Sequence, residues 1–199
     1  DSIKSRREYA FRTRPDTFGA RVDSQRIVRS ARGDSVPWVV VFSDFQCEDC
    51  RRLALEVLPA LRRDIVERGI ANLAFVAAPR DGHFNARFAA IAALCAGSAG
   101  RFWPVHDSLF AALPRWERDP DPRAYMDSIA VAAGVPAERQ RDCVDRNRLL
   151  RLLDGDIMRS ATSRVVEVPT VFVGDQRLPS SELTLGGIRR AVEAAARSR

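Results

Sequence analysis

Apolar residues in this chain follow two spacings, and the places where one gives way to the other outline a fold. Val39-Val40-Val41-Phe42 is an unbroken apolar run rich in β-branched residues, which predicts a buried strand over Trp38 to Phe45. From Glu48 to about Arg68 the spacing changes: Leu53, Val57, Leu61 and Ile65 recur every four residues, one face of an amphipathic helix that Gly69 ends and Pro59 should kink. Ile70 to Ala78 reads as a second strand, closed by Pro79. Strand, helix and strand in that order predict a right-handed parallel crossover. Ahead of them, Gln25 to Ser30, centred on Ile27-Val28, predicts a short edge strand.

The next eighty or so residues show helical spacing only. Phe84, Phe88, Ile91 and Cys95 form one stripe, Phe102 to Leu113 a second helix, and Arg123 to Ala133 a third that Gly134 ends. Pro136 to about Ser160 holds one or two more, with Cys143, Leu150, Leu153 and Ile157 on one face. Strand character returns at Val165 to Val173, interrupted by Pro169. The Gly174-Asp175 turn, a short strand at Gln176 to Leu178 and a helix at Thr184 to Ala196 close the chain. In the closing helix Leu185, Ile188 and Val192 should face inward.

Composition narrows the function classes. With 199 residues and 46% hydrophobic content the chain can bury a proper core, and no apolar run approaches the length of a membrane span. Residues 1–32 hold nine Lys or Arg against four acids, so they supply +5 of the net +6. Residues 1–24, without strong periodicity and carrying six Lys or Arg against four acids, read as a basic tail ahead of one domain over 25–199. No basic patch with groove-reading elements marks a nucleic-acid binder. The chain opens on Asp1, which leaves room for an export signal or membrane anchor upstream.

The candidate chemistry is Cys47-Glu48-Asp49-Cys50, where strand spacing meets helix spacing. Two intervening residues put both sulfurs on one side of a first helical turn, and the amides and dipole of a helix start favour a thiolate. Cys47 is the candidate nucleophile and Cys50 the resolving thiol. Half of a zinc site has the same spacing, but Cys95 and Cys143 stand far from the pair, and His83 and His106 complete no second pair. Cys95 and Cys143 themselves read either as two buried thiols or, coming from different helices of one subdomain, as a structural disulfide. His83 reads as solvated, and His106 as a surface or helix-packing residue.

Three segments in order, Phe42-Ser43-Asp44-Phe45-Gln46-Cys47 with Cys50, Gly100 to Phe110, and Val168-Pro169-Thr170-Val171-Phe172-Val173-Gly174, resemble the DsbA-like thiol:disulfide oxidoreductases over about residues 35–197. The resemblance implies an α/β thioredoxin-like fold with an all-helical subdomain inserted at about 82–160. It also implies a cis Val168–Pro169 bond beside the cysteines, with the Val168 backbone free to pair with an extended substrate. Val168, Pro169, Glu48 and Asp49 are the expected substrate-facing residues. The expected activity is thiol:disulfide exchange on protein substrates outside the cytoplasm, with no metal and no cofactor besides the cysteines. A membrane quinone-linked oxidase or a thioredoxin-like reductant would reset the pair. The rival readings are a reductase or isomerase, and a thioredoxin-fold chaperone or metallochaperone that holds copper or zinc in the CxxC.

Two departures from the family qualify the expectation. Its buried acid six residues before the first cysteine is replaced by Val41; Asp44 reads either as a substitute or as a helix-capping or solvent-facing residue, and Glu48-Asp49 stands where strongly oxidising members have Pro-His. Two carboxylates beside Cys47 should disfavour its thiolate.

Overall fold

The computed structural model describes residues 26–30 and 32–198, so the expected tail lies outside the described residues. A five-stranded sheet runs in the order β1 (Ile27–Val28), β3 (Asn72–Ala77), β2 (Trp38–Ser43), β4 (Thr170–Val173) and β5 (Gln176–Arg177). β2 and β3 are parallel, with Val41 opposite Phe75, and the other three pairings are antiparallel. Every residue of β3 is buried, as the continuous apolar run requires of a strand covered on both faces. Alternate side chains separate into two cores. Val39, Val41, Leu73, Phe75, Val171 and Val173 face the large one, while Val40, Phe42, Ala74 and Val76 face a smaller one on the other side.

Helix α1 starts at Glu48–Arg52 and continues through a π-helical stretch, Leu53–Val57, then Leu58–Leu61 and a second π stretch, Arg62–Val66. The expected kink at Pro59 takes this form: Leu58 N–H donates to the Leu53 carbonyl five residues back, and the widened turn carries the chain past a residue that cannot donate. Ile70 belongs to the end of this helix and not to β3, because its N–H donates to the Ile65 carbonyl.

Between β3 and β4 lie α2 (Ala86–Gly97), α3 (Phe102–Ala111), α4 (Leu113–Trp116), α5 (Arg123–Ala132), α6 (Ala137–Asp145) and α7 (Leu150–Thr162). α2 is the hub of this block and packs on α3, α5, α6 and α7. The Phe84–Phe88 stripe is not its buried face: Phe84 precedes the helix and is 83% exposed, and Phe88 is 44% exposed. Burial instead follows Ala89, Ala90, Ala92, Ala93, Leu94 and Ala96, because small side chains let neighbouring helices close in from several directions. Leu150 is likewise exposed while Leu153 is buried; Asn147, with φ of 49°, breaks the stripe between α6 and α7. Cys95 of α2 and Cys143 of α6 are joined by a disulfide with a Cα–Cα distance of 5.8 Å.

Val165 to Val168 is not strand. Val165 N–H donates to the Ser160 carbonyl at the end of α7, and the chain then loops to Pro169 before β4 begins. Gly174, at φ of 57°, supplies the left-handed residue of the β4–β5 turn. The closing helix α8 (Leu185–Arg197) is capped by Thr184, whose hydroxyl accepts from Gly187 N–H, and it buries Ile188 and Val192. Among the described residues no helix is long and apolar enough to cross a membrane.

Candidate active site

β2 ends at Ser43, and a short loop delivers Cys47 as the N-cap of α1. Its sulfur takes the place a serine oxygen usually fills and accepts the Cys50 backbone N–H at 3.2 Å. Cys47 is half-buried and Cys50 fully buried, and both are free thiols. The Cys47 thiol is lowered from 9.0 to about 7, chiefly by its hydrogen bond with the Cys50 side chain and, against the penalty of burial, by the Cys50 and Asp49 backbone amides. Burial raises the Cys50 thiol far above its ordinary range, and the hydrogen bond to Cys47 adds to that. One sulfur is therefore poised as a thiolate near neutrality and the other held as a thiol.

Across from Cys47 lies the loop before β4. The Val168–Pro169 peptide is cis, and the Cys47 thiol points at the Val168 carbonyl with Sγ 3.6 Å away. The loop is tied down on both sides: the Arg80 guanidinium donates to the Val166 carbonyl, and Arg177 donates to Glu167 at 3.1 Å and to the Thr170 hydroxyl at 3.3 Å. Cys47, Cys50, Val168 and Pro169 are thus brought to one spot. Cys95 and Cys143 are apart from it, in the helical block.

Glu48 and Asp49 stand at the exposed start of α1, but not as bare charges. Arg51 Nη1 lies 2.9 Å from Glu48 Oε1, and Arg52 pairs with Asp49. The acid that works against the Cys47 thiolate is Asp44. Neither Glu48 nor Asp49 is among the chief charges acting on the Cys47 thiol, each carboxylate being matched by an arginine one helical turn on.

Long-range polar contacts fix the turn in place. Gln46 accepts from Asn85 N–H at 2.9 Å and donates to the Glu117 carbonyl at 2.8 Å, while Asn85 Nδ2 donates to the Asp119 carbonyl at 2.8 Å. These bonds tie the residue before Cys47 to the helical block. His83 is not simply solvated: its Nδ1 lies 2.7 Å from Asp44 Oδ2, and only 35% of its side chain is exposed. His106 is buried outright, with ring centroids 4.8 Å from Phe75 and 4.9 Å from Phe110, and burial pushes its pKa down. It is a packing residue under the Cys47 loop, with Phe45 between.

The half-titrated Cys47 sets a measurable pH dependence. Carbamidomethylation of Cys47 by iodoacetamide should reach half its limiting rate near pH 7, and a midpoint near 9 would show that the turn does not stabilise the thiolate. The sign for stability follows from the same shift. A depressed thiol stabilises the reduced fold fully above the unfolded value of 9.0, and the contribution is lost as pH falls through about 7.

The arrangement has known relatives. A family model described as Thioredoxin matches residues 33–194. Disulfide bond formation protein D of Bacillus subtilis (strain 168) is 22% identical over 151 residues, covering 73% of this chain but 66% of that protein, just short of two thirds of its length. Among solved structures, oxidised BdbD from Bacillus subtilis superposes with a TM-score of 0.76 at 19% identity, over 88% of this chain and 95% of that one. DsbA from Chlamydia trachomatis gives 0.66 at 18% identity over 80% and 84%. MdbA from Actinomyces oris, a thiol-disulfide oxidoreductase, gives 0.71 at 13% identity over 89% of each. A match that takes in most of the chain, with its cysteine pair at the head of α1, means that this protein belongs to the thioredoxin family, in the DsbA-like form whose fold carries an inserted helical block.

Proposed function

We propose that this protein catalyses thiol:disulfide exchange on protein substrates through Cys47-Glu48-Asp49-Cys50, outside the cytoplasm. The observation that carries the reading is the split between two sulfurs three residues apart: Cys47 reachable and thiolate-prone, Cys50 buried and protonated. Cys47 attacks a substrate disulfide, or is attacked by a substrate thiolate when the pair is oxidised. A mixed disulfide forms at Cys47, and Cys50 resolves it. Val168 and Pro169 present backbone to an extended substrate, with Glu48 and Asp49 at the rim of the same surface. Residues 25–199 act as one unit and 1–24 as a basic tail.

The compartment reading is supported by the Cys95–Cys143 disulfide, since such bonds persist where the medium is oxidising. A membrane quinone-linked oxidase or a thioredoxin-like reductant returns the pair to its starting state. A Cys47 value of about 7 resembles that of thioredoxin, about 7, more than that of DsbA, about 3.5, and favours a mild oxidant or a reductase over a strong oxidant.

Mixed-disulfide trapping tests the reading. A Cys50→Ala variant incubated with a disulfide-bonded substrate protein should accumulate a covalent complex through Cys47, released by dithiothreitol. Trapping by Cys47→Ala instead would reverse the two roles, and a Cys50→Ala variant that traps nothing would sink the proposal.

A further inference from the structure

A cavity of about 260 Å³ opens within the helical block, and none of its lining belongs to the redox turn or to the Val168–Pro169 loop. Phe88 and Ile91 of α2, Met126 of α5 and Leu153 of α7 make apolar walls, with Leu150 at the exposed edge. The Cys95–Cys143 bridge joins α2 to α6 next to Val144, another wall residue, so the space is braced covalently. A cavity of ~150 Å³ with this kind of lining takes up benzene, so this one has room for a phenyl ring. Its lip is charged. Arg87 is paired with Asp154 at 3.3 Å and Arg123 with Asp121 at 2.8 Å, whereas among the described residues neither Asp127 nor Asp145 has an ion-pair partner. Burial pushes the Asp127 carboxyl up against its hydrogen bond with Gln140, and the charge of Asp145 adds to the rise. A cation at the lip would offset that repulsion.

The cavity lies at the end of the block that holds the redox turn. Asn85, just before α2, donates its N–H to Gln46, and the Glu117 and Asp119 carbonyls, on the way to α5, accept from Gln46 and Asn85. The exposed Phe84 stands on the same stretch, one helical turn before Phe88. One side chain, Gln46, and one helical turn therefore separate Cys47 from the wall at Phe88, roughly 15 Å, which about five extended residues span. We infer that the cavity is a second contact for unfolded substrate polypeptide: an aromatic side chain about five residues from the reacting cysteine enters it, and a Lys or Arg beside that aromatic meets Asp127 and Asp145. The inference rests on the exchange reading above and adds a substrate class to it. Folded proteins keep most aromatic side chains inside, so the contact selects chains whose folding is incomplete.

Binding and exchange are measured apart. With Cys47 blocked by iodoacetamide, fluorescein-labelled peptides free of cysteine and carrying Phe-Arg, Ala-Arg or Phe-Glu are titrated by anisotropy. Phe-Arg should bind about tenfold tighter than Ala-Arg, the lower end of what burying a phenylalanine gives, and about threefold tighter than Phe-Glu. Leu150→Trp, which narrows the cavity from its exposed edge, should abolish the preference for Phe. The double variant Asp127→Asn, Asp145→Asn should keep that preference and lose the one for Arg over Glu. The second arm uses the unblocked reduced protein and the same peptides with a cysteine about five residues away, joined to thionitrobenzoate. Release of thionitrobenzoate should show a KM about tenfold lower for Phe-Arg than for Ala-Arg, at equal kcat. Peptides that bind alike, or a preference that both variants retain, overturn the cavity contact, and equal release from all of them would then leave the exchange reading intact. Binding preferences with no release from any peptide overturn the exchange reading and the substrate assignment with it. A wild-type dimer that Leu150→Trp dissociates would give the cavity to a second copy of the chain and overturn the inference.

Discussion

An Asp156→Ala variant should lose about 3–5 kcal/mol of stability, a drop in melting temperature of about 6–20 °C for a chain of this size. Asp156, on α7, is completely buried and is met by three groups: the Arg26 guanidinium, Arg159 Nη1 at 2.9 Å and the Ala77 backbone N–H at 3.0 Å. Arg26 is itself buried and lies just before β1, so a single carboxylate joins the sheet edge, the end of β3 and the last helix of the block. Removing it withdraws a countercharge from a buried guanidinium and an acceptor from a buried amide, and each is costly in a low-dielectric interior. Asp156→Asn keeps an acceptor for Ala77 and should lose less. The end of β3 also borders the redox turn, for Ala78 N–H donates to the Ser43 carbonyl at 2.8 Å. Thermal melts of the reduced variants check this, and an Asp156→Ala midpoint within about 2 °C of wild type would show that the site relaxes or takes up water.

Asp156 also marks where reading the sequence stops. It stands between Leu153 and Ile157, and on a helical stripe a carboxylate registers only as an interruption. Two of its three partners, Arg26 and the amide of Ala77, are 130 and 79 residues away, and no periodicity announces a contact at that range. The strands, the long first helix and the CxxC turn were legible for the opposite reason: each is written in residues a few positions apart. Burial on α2 was misread because alanine carries little weight in an apolar stripe, although ten of its twelve residues are buried. Asp44 was visible as a candidate, but its pairing with His83 across 39 residues was not. The matching of Glu48 and Asp49 was legible in principle. Arg51 and Arg52 stand three residues on, one helical turn away, and a count of bare charges overlooks the geometry that neutralises them.

Opening the Cys95–Cys143 bridge should cost about 4 kcal/mol if the bond acts on the entropy of the unfolded chain, since it closes a loop with a sequence separation of 48. Expressed as a melting temperature, that is a fall of about 8–16 °C. The bridge joins α2, the hub of the block, to α6, and α2 in turn follows Asn85, whose amide N–H and side chain tie Gln46 to the 116–119 segment beside the redox turn. Even so, the chemistry at Cys47 should survive, because its thiolate is held by the Cys50 thiol and by amides of the same helical turn. A Cys95→Ala, Cys143→Ala double variant should therefore melt well below wild type yet keep its alkylation midpoint near pH 7. Wild type reduced at all four cysteines separates loss of the link from loss of side-chain volume: it should recover most of the same fall in melting temperature, the remainder being the two missing sulfurs in a buried site. A double variant as stable as wild type would mean that the helical packing alone holds α2 against α6. A midpoint moved toward 9 would mean that the helical block, through Gln46 and Asn85, sets the thiolate as much as the turn does.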